Sequence, residues 1–320
     1  MDISHVYKEV EKEIDLLNAK LANEANCQYE LVQDIVQHII HKGKRIRPVL
    51  LILLAKAFEI NNFDAIINSS FAIELIHTAS LLHDDVVDVT KKRRGKKTAN
   101  TIWGNKETIL VGDHLFSQSF LAIADLKNHD ATRIIAQASS RLTIGEISQL
   151  ANERNINLTK EQYLDVIYHK TASLFEASAH LGAMFSVNGN ATLCGKFGKN
   201  IGFAFQIMDD LLDYQGSKYL NKDSGTDFKE RKITLPILLL LEKEFEQKHL
   251  LTQYFLGNND DFSFKSTVLL MKKNDIFEEC KRVMNVYVEL ARAFVLNEVS
   301  KGDIQKLLLD MLAFFTSRSV

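Results

Sequence analysis

The chain has 320 residues, 46% of them hydrophobic and 25% charged, with a formal net charge of -2. This balance suits a folded globular protein, is too apolar for a disordered one, and supplies no global positive field to recruit nucleic acid. Cys27, Cys194 and Cys280 lie far apart without CxxC or Cys/His spacing, which points away from zinc and toward buried thiols in a reduced, cytoplasmic setting.

The N-terminus, MDISHVYKEVEKEID, carries acids where a signal peptide would be basic and then apolar. No uninterrupted apolar run reaches about 18 residues, so the chain reads as soluble, with at most a contact at a membrane surface. Only Pro48, Pro236 and fourteen glycines interrupt helical periodicity, and the composition reads all-α. Residues 1–21 predict an amphipathic entry helix with Ile14, Leu17 and Leu21 on one stripe, and 31–41 a second helix. The segment GKRIRP, Gly43 to Pro48, breaks before an apolar helix over 49–58, with proline in its first turn. Asn62 is placed to cap a helix from Asp64 to Asp88 that is apolar on most sides, as a helix inside a bundle should be. Further helices are predicted at 107–126, 129–151, 159–185, 192–214, 233–241, 265–273, 277–296 and 304–315. Between them the one long polar connection, Gln215 to Arg231, reads as a flap over a site. No repeat or linker divides residues 1–320, which are expected to form a single domain.

The chemistry concentrates in LLHDDVVDVTKKRRG, Leu81 to Gly95. In a helix Asp84 and Asp88 stand at i and i+4 on one face, with Asp85 turned about 100° away. Acid for a metal thus adjoins base for phosphate: Lys91, Lys92, Arg93 and Arg94 follow at once. The spacing recurs in Asp209, Asp210 and Asp213, again after an apolar run, FAFQIM. A single DDxxD is weak evidence, but two at the ends of hydrophobic helices ask for cations, because an uncompensated carboxylate beside a core is costly. Oxygen donors suit magnesium, which keeps waters and phosphate oxygens as its remaining ligands.

With these residues in place the chain resembles the trans-type polyprenyl diphosphate synthases, within them the long-chain, octaprenyl-like branch. The likeness runs nearly end to end through GKRIRP, ELIHTASLLHDDVVD (74–88), RRG (93–95), GD (112–113), GEISQL (145–150), KTASLF (170–175), FQIMDDLLDY (205–214) and KITLP (232–236). The resemblance implies a large helical bundle of the isoprenoid synthase type with a central cavity. It implies a Mg2+-dependent enzyme condensing isopentenyl diphosphate onto an allylic diphosphate, making a long all-trans chain of the kind that serves as a quinone side-chain precursor. By resemblance Asp84, Asp88 and Asp209 ligate magnesium, and Asp85, Asp210 and Asp213 act directly or through water. The same resemblance gives Lys44, Arg47, His77 and Arg94 to isopentenyl diphosphate and Arg93, Lys170 and Lys232 to the allylic diphosphate. It places Thr171 and Gln206 at the reacting centre. A homodimer is expected, and a membrane-surface contact would serve product release.

In that family the residues four and five before the first aspartate face the growing chain, and bulky aromatics there stop it early. Here they are Ser80 and Ala79, both small, so products longer than farnesyl are expected. Arg231 stands where the family usually has glycine, and Ser224 where proline or an aliphatic is common; both bear on flap geometry. Shorter-chain synthases, terpene cyclases and non-catalytic regulatory subunits are the competing readings. The paired acidic motifs and GKRIRP argue against the last two.

Overall fold

The protein, described here from a computed structural model, is characterised at residues 3–24, 28–40, 43–93, 95–216 and 225–316. Residues Arg94, Cys27 and Ser224 lie outside these. The chain opens with α1 (Ser4–Glu9), α2 (Glu11–Glu24), α3 (Glu30–Ile40), α4 (Ile46–Ala57) and α5 (Phe63–Val87). A hairpin of β1 (Lys92–Arg93) and β2 (Lys96–Lys97) follows, then α6 (Ala99–Trp103), α7 (Asn105–Ala124) and α8 (His129–Ala151). Next come α9 (Lys160–Ile167), a π-helical turn (Tyr168–Ala172), α10 (Ser173–Met184) and α11 (Ala191–Gln215). The chain ends with α12 (Thr226–Lys229), α13 (Leu235–Leu241), α14 (Lys248–Leu256), α15 (Phe264–Lys273), α16 (Ile276–Glu298) and α17 (Asp303–Thr316).

Local chemistry sets many helix starts. Asn62, Asn128, Asn190 and Ser263 each accept the backbone N–H three residues on, and Thr159 with Gln162 forms a full capping box. Each cap satisfies donors that a helix N-terminus leaves without partners. The α5 helix is long and apolar enough to cross a membrane, yet its side chains are largely buried inside the protein, among α2, α4, α7 and α10. It is therefore a core helix. One apolar core is built from α2 to α5, α7, α8, α10 and α17, and a second from α9, α13, α14 and α16. The two meet along α11, whose Phe197 and Ile201 belong to the first core and whose Phe203 and Met208 belong to the second.

Several details depart from the periodicity reading. Residues 1–21 break at Val10 into two helices, and the predicted continuous helix over 159–185 carries the π turn at 168–172. The hairpin, α6, α12 and α14 replace stretches with no predicted element. These pieces are short, and two-residue strands or single helical turns leave too few residues to establish a period.

Candidate active site

The C-terminal end of α5 sorts its three aspartates by direction. Asp88 closes the helix, its N–H donating to the Asp84 carbonyl at 2.8 Å. Asp85 turns inward, only 2% exposed, and accepts a hydrogen bond from Arg93 Nε at 2.8 Å. The Asp85 carbonyl also accepts from Asn100 Nδ2 at 2.8 Å. Asp85 therefore pins the hairpin and α6 to α5, while Asp84 and Asp88 occupy the other face. Burial pushes the Asp84 carboxyl up to about 7; Lys170 and Arg93 pull it down, and Glu146 and Asp88 push it further up. A cation at this position would relieve that strain.

Lys170 owes its place to the π turn. The extra residue per turn displaces Lys170 and Thr171 from a regular helical register, a distortion that recurs at functional sites. Gly145 on α8 makes room for it: a Cβ there would fall 2.5 Å from the Lys170 backbone nitrogen. The neighbouring Glu146 then accepts Lys170 Nζ at 2.8 Å. Gly112 has a similar reason, since a Cβ would fall 2.3 Å from the His83 ring.

On α11 the second acidic set is sorted in the same way. Asp210 is buried and accepts from Tyr163 Oη at 2.7 Å and from Gln206 Nε2 at 2.8 Å. Thr171 Oγ1 donates to Gln206 Oε1 at 2.7 Å, so the π turn is tied to α11 through this amide. Burial lifts the Asp210 carboxyl to about 7, with the two hydrogen bonds opposing and Asp209 and Asp213 adding to the rise. Asp213 spends its two oxygens on the backbone, accepting from Thr226 N at 3.1 Å and Asp227 N at 2.9 Å. It anchors the chain at Gly225 to Asp227, and residues 217–224 of the expected flap lie outside the described residues. The Asp227 carboxyl, which sequence reasoning missed, is pushed well above the usual carboxylate range by burial and by Asp210 and Asp213.

Lys232 joins the two sets. Its Nζ lies 3.0 Å from Asp88 Oδ2 and 2.8 Å from Glu230 Oε2. Burial works against its ammonium, but Asp88 and Glu230 outweigh burial and raise its pKa. Arg231 occupies the left-handed region, φ 56, where the family's glycine would be unstrained. Its guanidinium stacks 4.9 Å over Tyr254 and pairs with Asp260, contacts that hold the strained residue.

The GKRIRP segment forms a separate basic lobe. Arg45 takes a left-handed conformation, φ 48, and lies buried with Nη1 2.8 Å from Glu74 Oε2, Nη2 2.5 Å from the Ile40 carbonyl and Nε 3.1 Å from Asn18 Oδ1. That anchor presents Lys44 with its ammonium 5.7 Å over Phe314 and Arg47 with its guanidinium 4.6 Å over Phe175. Burial lowers the Arg47 pKa to about 10, with Glu74 opposing, and its Nε is buried without a hydrogen-bond partner. A buried cationic donor left open in this way suits an anion. His77 is half-buried, and its carbonyl accepts the Ser80 hydroxyl at 2.9 Å. Ala79 is fully buried.

Among the described residues no three carboxylate, histidine or cysteine side chains converge as a ready-made ion cage. Asp84 and Asp88 on one helix and Asp209 on another are not gathered at one point, so a bound ion needs oxygen ligands from elsewhere. The donors are hard oxygens, and crowding with burial raises the pKa of Asp84, Asp210 and Asp227. The residues therefore fit a divalent cation. Missed by sequence reasoning were Arg45, Glu74, Glu146, Tyr163 and Asp227. Arg45, Glu74 and Glu146 stood inside quoted motifs, whereas nothing local marked Tyr163 as the partner of an aspartate far along the chain.

The polyprenyl synthetase family model matches residues 29–269. The chain belongs to the polyprenyl synthetase family. This synthetase is 38% identical over 226 residues to an octaprenyl diphosphate synthase of Escherichia coli, covering 69% of this chain and 70% of that protein. It is 36% identical over 242 residues to the octaprenyl diphosphate synthase of Haemophilus influenzae, covering 74% and 73%. Among solved structures, a polyprenyl synthase from Caulobacter crescentus complexed with calcium and isoprenyl diphosphate superposes with a TM-score of 0.93 at 30% identity, covering 99% of this chain and 98% of that one. A decaprenyl diphosphate synthase from Rhodobacter capsulatus gives 0.91 at 30% identity, covering 99% of each. The all-α isoprenoid synthase fold expected from the sequence is thus the fold of the protein.

Proposed function

We propose that this synthetase condenses isopentenyl diphosphate with an allylic diphosphate to make a long-chain all-trans polyprenyl diphosphate. The observation that carries this reading is the acidic end of α5, with Lys170 acting on Asp84 and Lys232 paired to Asp88, together with a basic lobe that holds an open buried donor on Arg47. One acidic region and two cationic regions suit two diphosphates and the metal between them. The long-chain relatives, and a small buried Ala79 beneath the first motif, support extended products.

The site's chemistry is leaving-group stabilisation. Asp84, Asp88 and Asp209 would hold magnesium, which when bound supplies Lewis-acid stabilisation of a departing diphosphate. Lys170 and Lys232, each already balanced against a carboxylate, are placed to exchange that partner for a phosphate oxygen. Arg93, fixed by Asp85, adds a cation at the same rim. Lys44, Arg47 and His77 would seat the second diphosphate. Gln206 and Thr171, locked to each other and to Asp210, are rigid dipoles that can face developing positive charge without reorganising. Phe175, Phe205 and Phe315 pack against one another beside Arg47, and apolar rings of this kind would keep out water that could quench a carbocation.

A homodimer is part of this reading. Ile109, Leu110 and Leu121 on α7, with Ile144, Ile147 and Leu150 on α8, are exposed apolar residues on adjacent helices. Burying such a stripe against a second copy removes apolar area from water. Light scattering on the eluting protein tests it. Cytoplasmic residence is proposed from the thiols of Cys194 and Cys280, which are unbridged.

Incubation with magnesium, farnesyl diphosphate and labelled isopentenyl diphosphate tests the function. Labelled linear diphosphates longer than farnesyl are expected. Cyclised hydrocarbons, or no product at all, would overturn the proposal.

A further inference from the structure

The hairpin beside the site carries more positive charge than the site uses. Lys91, Lys92, Lys96 and Lys97 are all exposed, and among the described residues none of the four ammonium groups pairs with a carboxylate. The register sets Lys92 opposite Lys97 and Arg93 opposite Lys96. Directly opposed residues share a face of a hairpin, and like charges there are destabilising. Arg93 reaches Asp85, so its face of the hairpin is the one turned toward α5. Successive side chains alternate, so Lys92 and Lys97 stand on the opposite face, away from the acidic motif.

The pair is held out rigidly. Thr98 Oγ1 donates to the Thr90 carbonyl at 2.6 Å, Thr98 N donates to the Lys91 carbonyl at 3.2 Å, and His38 Nε2 bonds the Lys97 carbonyl at 2.8 Å. Just before the hairpin in the chain stand two solvent-facing apolar residues: Val87, 57% exposed, and Val89, 69% exposed and in the left-handed region at φ 51, unfavourable for a β-branched residue. Solvent-facing valines, one of them strained, and unpaired lysines thus share the short segment 87–97, which is cationic and apolar at once. In a chain of net charge -2 this is a local feature.

We propose that the β1–β2 hairpin docks this synthetase on an anionic lipid surface, with Lys92 and Lys97 on headgroups and Val87 and Val89 at the headgroup boundary. The proposal rests on the long-chain reading above, because a long polyprenyl product is insoluble in water and has to pass to a bilayer. A small diphosphate does not explain the outward pair, which points away from the acidic motif. Nucleic acid does not explain the exposed valines. Each basic residue near an anionic leaflet strengthens partitioning roughly fivefold, so reversing both lysines should weaken it by more than about 25-fold.

The test uses the purified full chain and sucrose-loaded vesicles of phosphatidylcholine alone or mixed with phosphatidylglycerol, sedimented at physiological ionic strength. The wild type should sediment with the anionic vesicles and stay in solution with the neutral ones. The Lys92→Glu/Lys97→Glu variant should lose the anionic binding while keeping its thermal midpoint. Equal partitioning of wild type and variant, or no partitioning of either, overturns the docking role. So does a variant whose KM for the diphosphates rises with vesicle binding intact, or a wild type that binds a short DNA duplex more tightly than the vesicles. Condensation is assayed in parallel on the same preparations. Its absence would overturn the enzymatic reading, whereas condensation without vesicle binding would remove only the docking surface.

Discussion

Removing the carboxylate of Glu74 should cost far more than its small size suggests. The Arg45–Glu74 pair is 2.8 Å long with side chains only 8% and 4% exposed. Glu74→Ala leaves a guanidinium buried with only the Ile40 carbonyl and Asn18 for company. Breaking a buried ion pair from one side costs about 3–5 kcal/mol, because the other charge stays desolvated. For a chain of this size that corresponds to a fall of about 4–7 °C in thermal midpoint. The double change Arg45→Met/Glu74→Leu removes both charges and should recover most of the loss, since an apolar pair of similar volume replaces an ion pair at little net cost. Function should not recover with it. Arg45 holds the left-handed turn between Lys44 and Arg47, so both variants should show a raised KM for isopentenyl diphosphate with a smaller change in kcat. Calorimetry and steady-state kinetics on the three proteins decide the matter. A double variant no more stable than Glu74→Ala, or a Glu74→Ala loss below about 1 kcal/mol, refutes the argument.

Asp209→Asn should reduce kcat about 10²–10³-fold with the fold intact by circular dichroism, because on the proposed reading it removes a carboxylate that holds the magnesium stabilising the leaving group; near-normal turnover would show that Asp209 does not act there. Ala79→Tyr, at a fully buried position on α5, should shorten the product, and chromatography showing an unchanged chain length would place the tunnel elsewhere. The buried carboxyls predict a pH response in the metal-free protein. Asp84 and Asp210 are both raised to about 7 from 3.8, so the folded state holds their protons more tightly than the unfolded state. Their contribution is therefore fully present below about pH 4 and is lost as pH rises through about 7. Added magnesium should raise the midpoint more at pH 8 than at pH 6, and scanning fluorimetry showing no such difference would contradict the assignment. Cys194 and Cys280 are fully buried, with Cys194 pushed up to about 12 and Cys280 raised too, chiefly by burial. Both should resist alkylation until the protein unfolds, and mass spectrometry of rapidly labelled native protein showing either one modified would disprove their burial.

How much of the site was legible follows from what a short window can hold. The acidic motifs, GKRIRP and the long apolar helices are local patterns, and the structure puts Asp84 and Asp88 together on α5 as their spacing requires. Arg231 illustrates a partial reading: its departure from glycine was visible, but the contacts with Tyr254 and Asp260 that hold its left-handed backbone come from residues distant in the chain. The arginine and glutamate of the buried anchor were in view as letters only. Nothing in a window of sequence distinguishes a lysine facing water from Lys170, displaced by a π turn onto Glu146 and Asp84.

The all-α class, the Asn62 cap, the two acidic helix ends and the family were legible in the sequence, because hydrophobic period, capping chemistry and motif spacing act over a few residues. Tertiary structure alone decided which carboxylate of each motif turns inward and what it then does. Asp85 became a clasp for the hairpin, Asp210 a buried acceptor for Tyr163 and Gln206, and Asp213 the anchor of the start of α12. The physical reason is that a carboxylate's role depends on its dielectric surroundings and on donors supplied by distant segments, and those exist only once the helices have packed.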